Sequence, residues 1–359
     1  MITDALWSDF DNDGKIDLVI TGEWMPVTFF KNTGTGFKNI NSSTAIGNHV
    51  GWWNSLTAGD FDDDGDIDYV AGNLGSNSPF KATQDEPMFV YAKDLDKNGK
   101  PDPMVFCYIK AEDGSRKPFP MHTRDDLISA VNEIRKKYPT YKSFGKASLT
   151  ELWSPTEQER AITFKATDMQ SSYIENKGNG QFEIKPLPLE TQVAPIYGMI
   201  SQDIDNDGFL DLILVGNDYG MEPGSGRHDA FMGLCLKGSG AGTFTPMSFN
   251  TSGFFVNGDA KGLANIRTAD GKNMLVSTQN QDSIKTFIND RNTSSHWFTV
   301  KKEDAYAEIE YSSNKTKKIE FYYGSTFLSQ SSRGFEVGDG VKKITISDFR
   351  GNKREVDLK

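Results

Sequence analysis

Four stretches of the chain carry carboxylates at alternating positions. They are Asp9, Asp11, Asp13 and Asp17; Asp60, Asp62, Asp64 and Asp68; Asp94, Asp96, Asn98 and Asp102; and Asp203, Asp205, Asp207 and Asp211. Each has the form Asp-x-Asp-x-(Asp/Asn)-Gly-x-x-Asp, with Gly14, Gly65, Gly99 or Gly208 in sixth place. Odd-numbered oxygen donors that converge through a tight glycine turn are what a hard cation such as calcium requires. The first, third, fifth and ninth side chains are the candidate ligands. The seventh residue (Lys15, Asp66, Lys100 or Phe209) is expected to add its backbone carbonyl. An acidic turn without metal is the plain alternative, and four copies with identical offsets weigh against it.

An EF-hand begins in the same way but needs a bidentate Glu at position twelve, within a helix. Here that position holds Ile20, Ala71, Val105 or Leu214. The residues after each loop are strand-like instead. Ile16, Leu18 and Ile20 alternate with Asp17 and Val19, and Leu210, Leu212 and Leu214 alternate with Asp211 and Ile213. Each loop is therefore expected between two strands, closed by its ninth-position Asp.

The formal net charge of the 359-residue chain is −11, and four bound calcium ions would bring it to −3. Without cations the clustered carboxylates repel one another. Coordinating carboxylates must be ionised, so metal release is expected as the pH falls toward the Asp range near 4. The acidic balance excludes a nucleic-acid backbone as partner, and the run Arg135-Lys136-Lys137 reads as a helix end. No apolar run reaches the roughly 18 residues of a membrane span. Cys107 and Cys235 lie in apolar runs and read as buried free thiols. Met1 leads straight into a strand and a loop without a leader. The expectation is a chain cut from a longer precursor that carries the export signal.

The loops start at Asp9, Asp60, Asp94 and Asp203, an uneven spacing that suits repeats with insertions. Each unit reads as strand, loop, strand, then one or two outer strands. The second unit has too little chain before Pro87 for two outer strands and is expected to be irregular. The hairpin around 172–175 and 181–185 is assigned to the third unit. The fourth unit comprises strands over 196–202, 210–215, 230–236 and 244–247. A fifth unit without the motif spans 263–287. Within the third unit, about 113–165 reads as a helical insertion. Thr123 and Asp126 form a cap, and Leu127, Val131, Ile134 and Tyr138 recur at helical spacing. Residues 293–359 read as a small separate β-domain of alternating strands.

The four loops resemble the FG-GAP/VCBS repeat, the calcium-bearing blade of integrin-α-like propellers. The stretches Thr21-Gly22-Glu23-Trp24-Met25-Pro26, Gly72-Asn73-Leu74-Gly75, Phe119-Pro120-Met121-His122 and Gly226-Arg227-His228-Asp229 are similar to large bacterial surface proteins of this type, found especially in Bacteroidetes. The tail 327–333, with Phe335-Glu336-Val337-Gly338, resembles the ASPIC/UnbV module, although the usual Trp-Pro-Asp-Gly is Asp348-Phe349-Arg350-Gly351 here. The resemblance implies an all-β chain. About five blades of a seven-bladed β-propeller would occupy 1–292, with the ASPIC/UnbV-like β-domain over 293–359.

A catalytic constellation is not visible. His49, His122, His228 and His296 are scattered, and no nucleophile elbow or phosphate loop occurs. The most site-like segment is 216–229, which is glycine-rich and carries Asp218, Tyr219, Glu222, Arg227, His228 and Asp229. It is the candidate ligand loop, against the alternative that Arg227 and Asp229 form a structural ion pair. His122 and Arg124 are candidates to face the same side, and Trp52 and Trp53 read as one core and one rim residue. Three functions are compatible with these features. The first is a calcium-binding module at the cell surface, in the periplasm or secreted, taking a glycan or protein ligand. The second is a calcium-dependent polysaccharide-processing enzyme, and the third a structural segment of an adhesin. Binding is favoured over turnover.

Overall fold

A computed structural model describes residues 1–289 and 296–358. In chain order the strands begin with β1 (Ile2–Ser8), β2 (Asp17–Pro26), β3 (Thr28–Asn32), β4 (Phe37–Asn39), β5 (Val50–Trp52), β6 (Ser55–Gly59) and β7 (Asp68–Gly72). Next come β8 (Met88–Lys93), β9 (Asp102–Lys110) and β10 (Arg116–Pro120), the helices α1 (Arg124–Ala130), α2 (Glu133–Lys137), α3 (Tyr141–Phe144), α4 (Leu149–Leu152) and α5 (Pro155–Glu159), and β11 (Ile162–Ala166). Then follow β12 (Ser172–Asn176), β13 (Phe182–Pro186), β14 (Ile196–Gln202), β15 (Asp211–Gly216), β16 (Leu234–Gly238), β17 (Phe244–Pro246), α6 (Phe249–Ser252), β18 (Ala260–Arg267), β19 (Asn273–Gln279) and β20 (Lys285–Ile288). The last strands are β21 (His296–Thr299), β22 (Asp304–Tyr311), β23 (Thr316–Glu320), β24 (Gly334–Val337), β25 (Val341–Asp348) and β26 (Lys353–Glu355).

The chain is all-β in character, built from antiparallel sheets with a few short helices. One sheet runs β1-β2-β3-β4, with β5 on the far end of β2. Another is β14-β15-β16-β17, and a third β18-β19-β20. Burial alternates as the strand period requires: Leu6, Val19 and Phe29 are fully buried, whereas Trp7 is 46% exposed. The strand expected over 230–236 starts only at Leu234.

The second and third units are interleaved, which corrects the assignment of the 172–185 hairpin. Strands β12 and β13 pair onto β7, in the order β13-β12-β7-β6, and complete the second sheet. The whole third unit, with its own sheet β10-β9-β8-β11, is inserted between β7 and β12. The second unit is therefore a regular four-stranded sheet rather than an irregular one. Burial explains the choice: Ile174 and Phe182 seal the core that Phe10, Phe29 and Tyr69 begin, and Tyr173 packs on the other face against Phe61 and Phe244.

Helix α1 starts at the expected Thr123–Asp126 capping box. One continuous helix does not form, because Val131 is extended (φ −132°) and separates α1 from α2. Leu127, Val131, Ile134 and Tyr138 are nevertheless buried together, against Phe106 and Trp153. Both cysteines are free and buried, and burial pushes the Cys235 thiol up to about 12. No helix among the described residues is long and apolar enough to cross a membrane.

Strands β1, β6, β14 and β18 lie side by side in succession. Residues 304–356 have a core of their own around Ala307, Ile309, Phe335 and Ile344. They also send a segment into the first assembly. Tyr322 packs against the Leu6–Tyr69 core, and Glu320 accepts from Asp9 N at 2.8 Å. The expected boundary at 292/293 lies outside the described residues.

Candidate functional site

The four acidic loops connect paired strands: β1 to β2, β6 to β7, β8 to β9 and β14 to β15. They share one backbone. The fourth residue is left-handed in each case, at φ 56° for Asn12, 65° for Asp63, 63° for Lys97 and 61° for Asn206. The sixth-position glycines have φ 81–96° (Gly14 81°, Gly65 96°, Gly99 87°, Gly208 93°), where a Cβ would be strained. The first Asp folds the loop by accepting from the glycine N–H: 3.2 Å for Asp9 and Gly14, 3.2 Å for Asp60 and Gly65, 2.9 Å for Asp94 and Gly99, and 2.9 Å for Asp203 and Gly208.

The ninth Asp fastens the loop to its sheet. Asp68 accepts from Phe61 N at 3.1 Å, Tyr173 Oη at 2.7 Å and Asn176 N at 2.8 Å. Asp211 accepts from Ile204 N and Gly238 N, both at 2.8 Å, and Asp17 from Asn32 N at 2.6 Å. Among the described residues Asp102 accepts only from Leu95 N, at 2.9 Å. In three loops this residue thus ties the loop to the third strand of its sheet.

In each loop, three carboxylates bring one oxygen apiece within 4.8 Å of one another. They belong to Asp9, Asp11 and Asp13; Asp60, Asp62 and Asp68; Asp94, Asp96 and Asp102; and Asp203, Asp205 and Asp211. Asp17, Asp64, Asn98 and Asp207 fall outside these trios. Within these loops, four carboxylate oxygens are buried without a hydrogen-bond partner among the described residues: Oδ1 of Asp9, Asp60 and Asp205, and Oδ2 of Asp17. Buried acceptors of this kind are costly unless something positive meets them, so the donor set fits a hard divalent cation. Burial, reinforced by the neighbouring carboxylates, pushes Asp17 and Asp68 up to about 7 and Asp60 and Asp62 to about 6. Burial also raises Asp211.

Lysines that the motif does not contain lean over the loops. Lys31 pairs with Asp11 and Asp13, and Lys237 with Asp205 and Asp207. Each immediately precedes the residue whose N–H binds the ninth Asp, so both project from equivalent places on a third strand. From the C-terminal region, Lys318 reaches Asp9, Lys317 reaches Gly208 O, and Lys315 reaches Asp63. The third loop belongs to the inserted sheet. Among the described residues, no hydrogen bond or ion pair joins it to the other three.

The 216–229 loop comes after β15, at the end of the sheets opposite the acidic loops. Asp218 and His228 pair through their backbones at 2.8 and 2.9 Å. Tyr197 Oη donates to Asp218 at 2.8 Å, and Lys261 lies 3.6 Å from the same carboxylate. Arg227 stacks on Tyr219 at 4.9 Å and, among the described residues, makes no ion pair with Asp229. Glu222, Arg227 and Asp229 are exposed, whereas His228 is buried and its pKa is lowered by that burial. A cavity of about 490 Å³ opens between Tyr219, Arg227, Asn257, Asp259, Asn280 and Asp282. Sequence reasoning missed Asp259 and Lys261, which carry no local signal and reach the loop only through the packing of β18 against β14.

His122 and Arg124 serve the inserted unit instead. His122 Nε2 accepts from Val105 N at 3.2 Å, and Arg124 donates to Tyr138 O at 2.7 Å. Trp53 is fully buried, while Trp52 lies between Trp24, which it meets edge to face, and the tilted ring of Phe80.

Residues 9–71 match the FG-GAP-like repeat family. The stretch covers the first two acidic loops and the chain from β2 into β7. The third and fourth loops, beyond the matched FG-GAP-like stretch, repeat its left-handed residues and its Asp-to-glycine hydrogen bond. No curated protein matches the chain.

Proposed function

We propose that the chain is a calcium-binding β-propeller module of a surface, periplasmic or secreted protein, with a glycan or protein ligand on the end face opposite its calcium loops. The observation that carries this reading is the four identically folded Asp loops, three of which hold a buried carboxylate oxygen with no partner among the described residues. The side-by-side order of β1, β6, β14 and β18 supports successive blades around an axis. The inserted sheet is a further calcium-bearing unit rather than a member of that row, and the row is part of a seven-bladed ring. Each calcium takes the first, third and fifth side chains, the ninth Asp and the carbonyl of Lys15, Asp66, Lys100 or Phe209. Residues 293–359 form the ASPIC/UnbV-like module.

The ligand surface is built on Asp218, Tyr219, Glu222, Arg227, His228 and Asp229, with Asp259 and Lys261 beside them. Its aromatic, amide and carboxylate lining suits a hydroxyl-rich ligand. A glycan and protein array, probed with and without a chelator, tests the reading. Binding that Arg227→Ala and Tyr219→Ala abolish supports it, and binding that both variants retain removes this face.

A further inference from the structure

The segment 315–333 touches both ends of the sheet assembly. At the acidic end, Lys318 Nζ lies 2.9 Å from Asp9 Oδ2, 3.1 Å from Asp9 O and 2.7 Å from Asn12 Oδ1. Lys317 donates to Gly208 O at 2.6 Å and stands 3.6 Å from Asp63, which Lys315 also holds. Three lysines of one turn and strand thus reach three different acidic loops. Lys318 is nearly buried, with 9% of its side chain exposed, so this contact is part of the packing.

From there the chain runs along the first strands of the sheets. Tyr322 joins the core beside Tyr69. Thr326 Oγ1 accepts from Met199 N at 3.0 Å. Ser329, Ser331 and Ser332 accept from the N–H groups of Leu263, Asn265 and Arg267, each at 3.0 Å. These bonds account for the serine-rich sequence, because the hydroxyls satisfy the free edge of β18 in place of another strand. At the far end, the Phe327 ring lies 5.0 Å from Tyr197, whose hydroxyl holds Asp218 of the ligand loop.

We propose that residues 315–333 are a strut linking the metal loops to the ligand face, and that Lys318 sets the calcium affinity of the first loop. The inference rests on the reading that this loop binds calcium. Asp9 is shared: Oδ2 is taken by Lys318 and Gly14 N, while Oδ1 is buried and unpartnered. A cation on Oδ1 would sit within a few ångströms of the Lys318 ammonium. The two positive charges oppose each other, so the lysine lowers calcium affinity and calcium loosens the lysine's hold. A loosened strut in turn frees Phe327 beneath Tyr197.

Calcium titration of the whole chain by calorimetry, with wild type beside Lys318→Met, is the test. Repulsion between a double and a single charge ~5 Å apart, taken in the water-like limit as a lower bound because Lys318 is nearly buried, predicts at least about threefold tighter binding in the variant at one site. Lys318→Gln, which removes the charge but keeps a hydrogen-bond donor for Asp9 O and Asn12 Oδ1, should tighten binding at the same site and replaces the first variant if that one misfolds. Amide exchange should also quicken across 325–333 when calcium is added to the wild type. Unchanged or weaker calcium binding in both variants, or exchange at 325–333 indifferent to calcium, would overturn the proposal. Failure of the wild type to bind calcium at all would remove the calcium reading and this one with it.

Discussion

Asp68→Ala separates the structural role of a loop carboxylate from its role toward metal. Asp68 is fully buried and accepts from three groups that are themselves buried: Phe61 N, Tyr173 Oη and Asn176 N. Alanine leaves all three without a partner, at about 1–3 kcal/mol each. Removing a buried charge returns part of that, because burial holds the Asp68 carboxyl near 7. The net loss expected is therefore at the low end, about 3 kcal/mol. Asp102→Ala in the third loop leaves only Leu95 N unpaired, at a partly exposed site, and should cost about 1 kcal/mol or less. Melting both variants in excess EDTA isolates the structural part, since no metal is then at stake. At roughly 2–4 °C per kcal/mol, Asp68→Ala should melt about 4–8 °C below Asp102→Ala. Equal melting temperatures in EDTA, with a difference appearing only in calcium, would refute the reasoning and make Asp68 a metal ligand alone.

Calcium affinity should fall early in acid. Asp17 and Asp68 are held near 7 and Asp60 and Asp62 near 6, against 3.8 for an ordinary Asp, so protons compete with metal from neutral pH downward. The same raised values mean that the metal-free fold loses stability as pH rises from about 4 through 7, where these groups ionise when folded. Titrations at pH 7.5 and 6.0 that give equal affinity would contradict the first statement, and an EDTA melting profile flat over that range the second. Asn98→Asp should strengthen the third loop several-fold by adding one ligand charge, read as site-resolved occupancy at limiting calcium. Arg227→Ala, at an exposed position, should leave unfolding within about 1 kcal/mol of wild type. His228→Ala, which empties a buried site, should cost more, and urea unfolding compares the two.

The loops and their flanking strands were legible because both signals are local. Ligand offsets and the glycine turn sit within nine residues, and the strands alternate around them. Interleaving was not legible. Strand β12 pairs with β7 about 100 residues upstream, and no periodicity records that choice, which the aromatic packing of Phe182 on Phe29 and Tyr69, and of Tyr173 on Phe61, decides. The capping box at Thr123 was readable, but the break at Val131 was not, since the apolar spacing continues through it. Lysines that compensate the loops come from third strands and from a turn some 300 residues away, so proximity to Asp9 left no trace near Asp9. The Arg227–Asp229 pair was plausible from adjacency, yet Arg227 found the Tyr219 ring.

If these four loops bind calcium, the fold depends on it. Calcium stoichiometry by native mass spectrometry, paired with melting in calcium and in EDTA at pH 7.5, addresses it most directly. As many as four ions should be bound, and the melting temperature should fall by many degrees once they are removed, because ligand bound to the native state adds to stability. A chain that binds no calcium at millimolar concentration, or melts identically after verified metal loss, would contradict it.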